Sequence, residues 1–223
     1  MTNEAQRKFR VVLVEDHPMF RDQLAELINK EPRMCVCGET DNIHDAFNLI
    51  EVSQPDIAVV DLTLKGPSGL ELIKNLKAKE INVPLLVLSM HDEALYAERV
   101  LKAGARGYIT KNEASKEVMT AIHAVLRGEI YLPPRIASRI LESVAIGRKN
   151  ENGIGQLTDR ELEVFELIGH GRTTREISNC LHLGMSTVDT YRARIKNKLH
   201  LENSSQLYHE AIRWVSDGQQ ASA

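Results

Sequence analysis

Five times between Phe9 and Gly128, a short apolar run gives way to a segment whose apolar residues recur at helical spacing. The runs are Phe9 to Val14, Met34 to Gly38, Ile57 to Val60, Pro84 to Leu88 and Gly107 to Thr110. They are short and β-branched, which suits buried strands rather than helices. Between them Phe20, Leu24, Leu27 and Ile28 mark one helix, and Ala46, Leu49 and Ile50 a second over residues 43–53. Leu70, Ile73 and Leu76 mark a third, residues 94–103 a fourth that stops at Gly104, and Val118, Ile122 and Val125 a fifth reaching Gly128. Alternation of this kind implies a parallel sheet with helices on both faces.

At this size the usual solution is an α/β, flavodoxin-like (βα)5 domain with strand order 2-1-3-4-5, and its ligands bind at the carboxyl edge of the strands. Glu15, Asp16, Asp61, Ser89 and Lys111 each stand at or just after a strand end, so that edge collects all five. A single Asp after a strand is also an ordinary turn residue. Five polar residues at the ends of four strands are harder to ascribe to turns. Asp16 and Asp61, with Glu15 nearby, supply hard oxygen ligands of the kind Mg2+ (or Mn2+) takes alongside waters and a phosphate. Such an ion would offset repulsion between a carboxylate nucleophile and an incoming phosphoryl group. Lys111 can neutralise a further phosphoryl oxygen, and Ser89 can donate to another.

Composition sets the remaining bounds. The chain has 223 residues and a net charge of −3, which argues against a wholly basic nucleic-acid binder. Residues 1–130 carry a net −4 and residues 131–223 a net +1. No apolar run approaches the roughly 18–20 residues a bilayer needs, and MTNEAQRKFR lacks an apolar signal region. A cytoplasmic protein without a membrane partner is expected. Cys35, Cys37 and Cys180 form no disulfide or zinc pattern. Cys35 and Cys37 fall two apart on a strand, so they are expected to share a face and pack as small hydrophobes. The tail QQASA is short and polar.

After Gly128 the pattern changes. Glu129 to Leu132 precedes Pro133-Pro134 and reads as extended. Ile136, Ile140 and Val144 suggest a helix over 135–146, and GRKNENGIG from Gly147 to Gly155 reads as a flexible linker. From Leu157 only helices are indicated, over about 158–169, 173–182, 186–200 and 204–216. Thr158 with Glu161 and Thr173 with Glu176 form capping boxes, and Ser186 with Asp189 a weaker one. Short joints containing Gly at 169–171 and 182–184 suggest a helix-turn-helix.

Projected at 100° per residue, Val188, Tyr191, Ile195 and Leu199 form an inward stripe, and Thr190, Ala193 and Asn197 centre the outward arc. Asp189 and Lys196 flank one side of the arc, Thr187 and Arg194 the other. Arg192 and Lys198 lie nearer the stripe and can snorkel. Four basic residues within seven positions make a positive strip, read either as a solvated face or as a surface for double-stranded DNA. Leu207, Ala211 and Val215 share a face of the last helix, which suits either core packing or an interface.

Glu15-Asp16-His17-Pro18 with Phe20-Arg21, Asp61 with Gly69-Leu70-Glu71, Ser89-Met90, and AGARGYITK ending at Lys111 together resemble a response-regulator receiver domain over residues 8–128. The resemblance implies Asp61 as phosphoacceptor for a histidine kinase. It implies Mg2+ held by Asp16, Asp61 and the backbone carbonyl of Thr63, with Glu15 acting through water. Ser89 and Lys111 would read the phosphoryl group, and Tyr108 would be an aromatic switch coupled to Ser89. The family often has Pro at position 65, where this chain has Lys65, with Pro67 two residues on. Leu157-Thr158 with Arg160-Glu161, Thr173 with Arg175-Glu176-Ile177, and MSTVDTYR from Met185 are similar to the LuxR-type helix-turn-helix over residues 157–217. Residues 129–156 would link the two. The whole resembles the NarL/FixJ class of response regulators.

By that resemblance Asp189, Thr190 and Ala193 face base edges, and Arg192, Arg194, Lys196 and Lys198 meet phosphates, with Thr187 beside them. Asp189 stands where many members carry Lys. It can accept from cytosine N4 or cap the helix with Ser186, and capping is the slightly favoured expectation. Leu207, Ala211 and Val215 would serve a homodimer formed on phosphorylation. The expected protein is a phosphorylation-dependent transcriptional regulator and no enzyme beyond its own phosphorylation and dephosphorylation at Asp61. An aspartate-nucleophile phosphatase needs an acid two residues after the nucleophile, where this chain has Thr63, and no P-loop pattern occurs. The alternative is a receiver controlled by protein or ligand binding without phosphate.

Overall fold

The computed structural model describes residues 7–64, 68–90, 94–145 and 153–220. The Lys65–Pro67 departure, most of the Gly147–Gly155 linker run and the end of the QQASA tail lie outside them. The chain divides into two compact units, residues 1–140 and 141–223.

The first unit is a five-stranded sheet: β1 (Phe9–Val14), β2 (Met34–Thr40), β3 (Ile57–Asp61), β4 (Leu85–Ser89) and β5 (Gly107–Thr110). The order is β2-β1-β3-β4-β5, with every pairing parallel. The helices between them are α1 (Pro18–Lys30), α2 (Ile43–Ser53), α3 (Gly69–Ala78), α4 (Ala94–Ala103) and α5 (Lys111–Leu126). β3, β4 and β5 are buried at every residue. A parallel sheet covered on both faces selects such unbroken apolar runs rather than alternation. Val11, Leu13, Val59, Leu86, Leu88 and Ile109 meet Leu24 and Ile28 of α1 and Val118, Ile122 and Val125 of α5 in one core.

Two local departures from the expected pattern have clear causes. The β1–β2 register slips so that Val11 pairs with Val36 and Val12 with Gly38. Cys37 is thus the extra residue of a bulge. The simple alternation that put Cys35 and Cys37 on one face is interrupted there, and both thiols are free and half-buried. Burial pushes the Cys37 thiol up from its ordinary value. At the opposite edge the extended segment after α5 adds a single bridge to the sheet. Tyr131 N–H donates to Arg106 O at 2.9 Å, and Tyr108 N–H donates to Tyr131 O at 3.0 Å. The Tyr131 hydroxyl donates to Glu117 at 2.5 Å. Burial and that carboxylate push the phenol up to about 12.

Helix α6 (Pro134–Ala145) follows. Gly153–Gln156, inside the stretch expected to be a flexible linker, forms a turn of 3-10 helix. The second unit holds α7 (Asp159–Gly169), α8 (Thr174–Cys180), α9 (Met185–Lys198) and α10 (Ser204–Gln220). Both capping boxes form. Thr158 N–H donates to Glu161 at 2.7 Å, Thr173 N–H donates to Glu176 at 2.8 Å, and the reciprocal bonds are present. Thr158→Ala is therefore expected to destabilise this unit by about 1 kcal/mol, visible as a lower melting temperature for the second unit alone.

The third expected cap does not form. Helix α9 begins at Met185, its N-cap is Gly184, and no side chain caps it. The joint between α8 and α9 takes its left-handed residue at His182, φ 52°, which sets the helix start earlier than the Ser186–Asp189 spacing suggested. α7 packs against α9 and α10, and α8 packs against α9. Gly169 permits the α7–α10 approach: a Cβ there would lie 2.5 Å from the Ala211 carbonyl oxygen.

Candidate functional site

At the carboxyl edge of the sheet, β1 delivers Glu15 and Asp16, β3 delivers Asp61, β4 delivers Ser89, and the start of α5 delivers Lys111. Asp61 and Ser89 are fully buried, and Glu15 and Asp16 nearly so. Lys111 Nζ lies 2.8 Å from Asp61 Oδ2 and 2.9 Å from Glu15 Oε1. Its ammonium also sits 5.0 Å from the centre of the Phe20 ring, a cation–π contact. Thr63 N–H donates to Asp61 Oδ1 at 3.1 Å. Burial is the largest influence on the Asp61 carboxyl. It outweighs the Lys111 ammonium and, with the Glu15 charge, pushes the group up to about 6.

The edge gathers three buried carboxylates, Glu15, Asp16 and Asp61, and Lys111 pairs with the first and the last. Glu15 Oε2 and Asp16 Oδ1 are buried, with Lys111 Nζ 2.8 Å from the first and His17 Nδ1 2.9 Å from the second. Three buried carboxylates beside one ammonium carry excess negative charge, which a further cation would offset. Glu15, Asp16, His17 and Asp61 each bring one ligand atom within 4.8 Å of the others. The donor set is dominated by carboxylate oxygen, which fits a hard divalent ion. Ser89 and Tyr108, expected as the switch pair, are both fully buried on adjacent strands.

Three residues gain a place here that the sequence reading did not assign. His17 is exposed, and its Nδ1 lies 2.9 Å from both Glu15 Oε1 and Asp16 Oδ1. Arg21, one helical turn on, donates to the Glu15 carbonyl at 2.7 Å and ties the acidic corner to α1. Phe20 supplies the ring under Lys111. The motif at Glu15-Asp16 contained all three, but gave none of them a role.

On α9 the exposed side chains are Met185, Ser186, Thr187, Asp189, Thr190, Ala193, Arg194 and Asn197. Val188 and Ile195 are fully buried. The outward arc is therefore where the projection put it. Asp189 lies beyond the first turn, away from the N-cap, so the favoured expectation that it caps the helix is corrected: its carboxylate faces outward. Thr190 Oγ1 donates back to Ser186 O at 2.9 Å.

Two of the four basic residues are engaged within the unit. Arg192 donates to Thr174 Oγ1 and to the Tyr208 hydroxyl, both at 3.0 Å. Lys198 donates to Glu161 at 2.7 Å. Burial would raise the Glu161 carboxyl, but bonds from Lys198 and Thr158 outweigh it and hold it below the usual range. Arg194 remains exposed and Lys196 half-buried.

The expected dimer face needs a second correction. Leu207 and Ala211 are fully buried and Val215 is 6% exposed, with Ala211 and Val215 against Gly169 of α7. They are core of this unit, and on α10 the exposed apolar residue is Ile212.

Residues 11–123 match the response regulator receiver domain, and residues 155–211 match the bacterial regulatory proteins of the luxR family. This chain is a response regulator of the NarL/FixJ class. It is 32% identical over 203 residues to the response regulator UvrY of Escherichia coli (strain K12), covering 91% of this chain and 93% of that protein. A solved two-component response regulator of the LuxR family from Aurantimonas sp. SI85-9A1 is 35% identical. That match covers 62% of this chain and 99% of the other, with a TM-score of 0.59. RcsB from Salmonella enterica serovar Typhimurium, solved bound to promoter rprA in the presence of phosphomimetic BeF3-, shares the fold. Its TM-score is 0.61 at 23% identity, over 91% of this chain and 98% of that one. The response regulator thus pairs a receiver with a LuxR-type DNA-binding domain. Among its described residues no helix is long and apolar enough to cross a membrane.

Proposed function

We propose that this response regulator is a cytoplasmic, phosphorylation-gated transcription factor whose receiver takes a phosphoryl group on Asp61 from the phosphohistidine of a cognate histidine kinase. The supporting observation is the pairing of a fully buried Asp61 with Lys111 Nζ at 2.8 Å, in one cluster with the buried carboxylates of Glu15 and Asp16. Asp61 Oδ attacks phosphorus, the N–P bond of the donor breaks, and the imidazole leaves with a proton from solvent. The product is an acyl phosphate. A Mg2+ ion (or Mn2+) would be held by Asp16, Asp61 and the Thr63 carbonyl, with Glu15 beside it, and would supply charge neutralisation to the incoming phosphoryl oxygens. Lys111 would shift from the carboxylate to a phosphoryl oxygen, and Ser89 would donate to another. Ser89 pairs with Thr110 and Tyr108 with Val87, two residues away on the same adjacent strands, so Tyr108 is the side chain proposed to register this change.

The output is sequence-specific binding of double-stranded DNA by α9, with Thr187, Asp189, Thr190 and Ala193 at base edges. Arg194 and Lys196 meet phosphates, which position without specifying. Phosphorylation shifts a pre-existing equilibrium toward the DNA-binding homodimer. The domain limits of 8–128, 129–156 and 157–217 belong to the same reading.

Native mass spectrometry of the full chain with Mg2+ and acetyl phosphate, beside Asp61→Asn, tests it. A covalent adduct absent from Asp61→Asn, accompanied by dimer, is the expected result. An adduct without dimer would move the gating to DNA binding itself. If no adduct forms and beryllofluoride does not bind, phosphate is not the signal.

A further inference from the structure

Of the four basic residues of α9, Arg192 and Lys198 each have two partners inside their own unit, and those of Arg192 lie on two different helices. Its guanidinium donates to Thr174 Oγ1 at the first residue of α8 and to the Tyr208 hydroxyl on α10, each at 3.0 Å. It also stacks over the Tyr208 ring, 5.0 Å from the centroid. One planar fork thereby joins three helices, a use for which guanidinium is suited and ammonium is not. Between α9 and α10 themselves the packing is thin. α9 rests on α7 and α8, while α10 packs chiefly on α7. The Arg192–Tyr208 pair is therefore a direct tie between the outward-facing helix and α10.

We propose that Arg192 is a positioning residue for DNA recognition, fixing the azimuth of α9 through Thr174 and Tyr208, and is not one of the phosphate contacts. This rests on reading α9 as the recognition helix. The phosphate role then falls on Arg194 and Lys196, whose side chains flank the exposed arc. A rotation of α9 about its axis would move Asp189, Thr190 and Ala193 together, so the tie acts on sequence preference more than on raw charge.

The two roles separate in salt dependence. Each phosphate neutralised contributes about 0.9 to the slope of log K against log salt. The full chain, Arg192→Gln, Arg192→Lys and Tyr208→Phe are compared on a duplex selected by the wild type from a random-sequence pool and on a scrambled duplex. Arg192→Gln is expected to bind the selected duplex about tenfold more weakly, with an unchanged salt slope and a reduced preference over the scrambled duplex. Tyr208→Phe, which keeps the ring and removes only the hydroxyl, is expected to lose about threefold with the same signature. Arg192→Lys, which keeps the charge but cannot span both partners, is expected to fall between them. Amide hydrogen exchange in α9, measured without DNA, is expected to quicken in Arg192→Gln and Tyr208→Phe. A slope shallower by about one in Arg192→Gln, with Tyr208→Phe like the wild type, would overturn the proposal. If the wild type selects no duplex, the recognition-helix reading fails, and the exchange measurement still decides whether Arg192 holds α9.

Discussion

Asp61→Asn is expected to abolish labelling by acetyl phosphate and, in metal-free buffer at pH 7.5, to raise the melting temperature of the receiver. The two effects have one cause. Asp61 is fully buried, with its carboxyl pushed from 3.8 up to about 6. A carboxylate raised in the folded state binds more protons folded than unfolded. Its contribution is most favourable below the unfolded value and is lost as pH rises through the folded one. The shift corresponds to about 3 kcal/mol that the ionised group takes from stability at neutral pH. Asn removes that charge and can still accept from the Thr63 N–H. A gain on the order of 10 °C is expected, read by scanning calorimetry of the full chain and shrinking as pH falls from 6 towards 4. Adding Mg2+ should reverse the ranking, because the wild type keeps the ligand that Asn lacks. A lower melting temperature for Asp61→Asn in metal-free buffer at pH 7.5 would mean that Lys111 more than compensates the buried charge.

The strands of the receiver were legible because a doubly covered parallel sheet demands apolar runs, and β3 and β4 are little else. Their ends then placed Glu15, Asp16, Asp61, Ser89 and Lys111 at one edge without further information. Tyr131 was not legible as part of the sheet. Two backbone bonds to Arg106 and Tyr108 leave no mark on residue type, and one bridged residue has no period. In the second unit, periodicity identified the buried face of α9 but not where its long side chains would go. Arg192 and Lys198 flank the stripe, and a reach of several ångströms let them choose Tyr208, Thr174 and Glu161 on other helices. Leu207, Ala211 and Val215 show the converse limit. An apolar stripe at helical spacing is the same pattern whether α7 or a second copy covers it, and here Gly169 lets α7 come close enough. The Ser186–Asp189 spacing misplaced the N-cap by two residues, because Gly184 can end the preceding turn without any side-chain signal.

Gly69→Ala is expected to destabilise the receiver by on the order of 3–4 kcal/mol and to weaken labelling of Asp61, although residue 69 carries no functional group. Gly69 opens α3, and its N–H donates to Leu62 O at 2.9 Å. A Cβ there would stand 2.2 Å from the carbonyl oxygen of Asp61 and 3.1 Å from Leu62 Cα. The obstacle is backbone, so no rotamer change relieves it. Either α3 backs away from the sheet or the peptide after Asp61 moves, and the second response disturbs the Thr63 N–H that holds Asp61 Oδ1. Gly128→Ala separates this from conformational strain. Gly128 has φ +80° with nothing within 4 Å of an added Cβ, so that change is expected to be worth about 1 kcal/mol and to leave labelling intact. Chemical denaturation of both variants, with acetyl phosphate labelling measured alongside, distinguishes them. Equal stability losses with unchanged labelling would show that the loop between Asp61 and Gly69 yields without moving the phosphoacceptor. A larger loss at Gly69 with slowed labelling would mean that the start of α3 braces the Asp61 peptide directly.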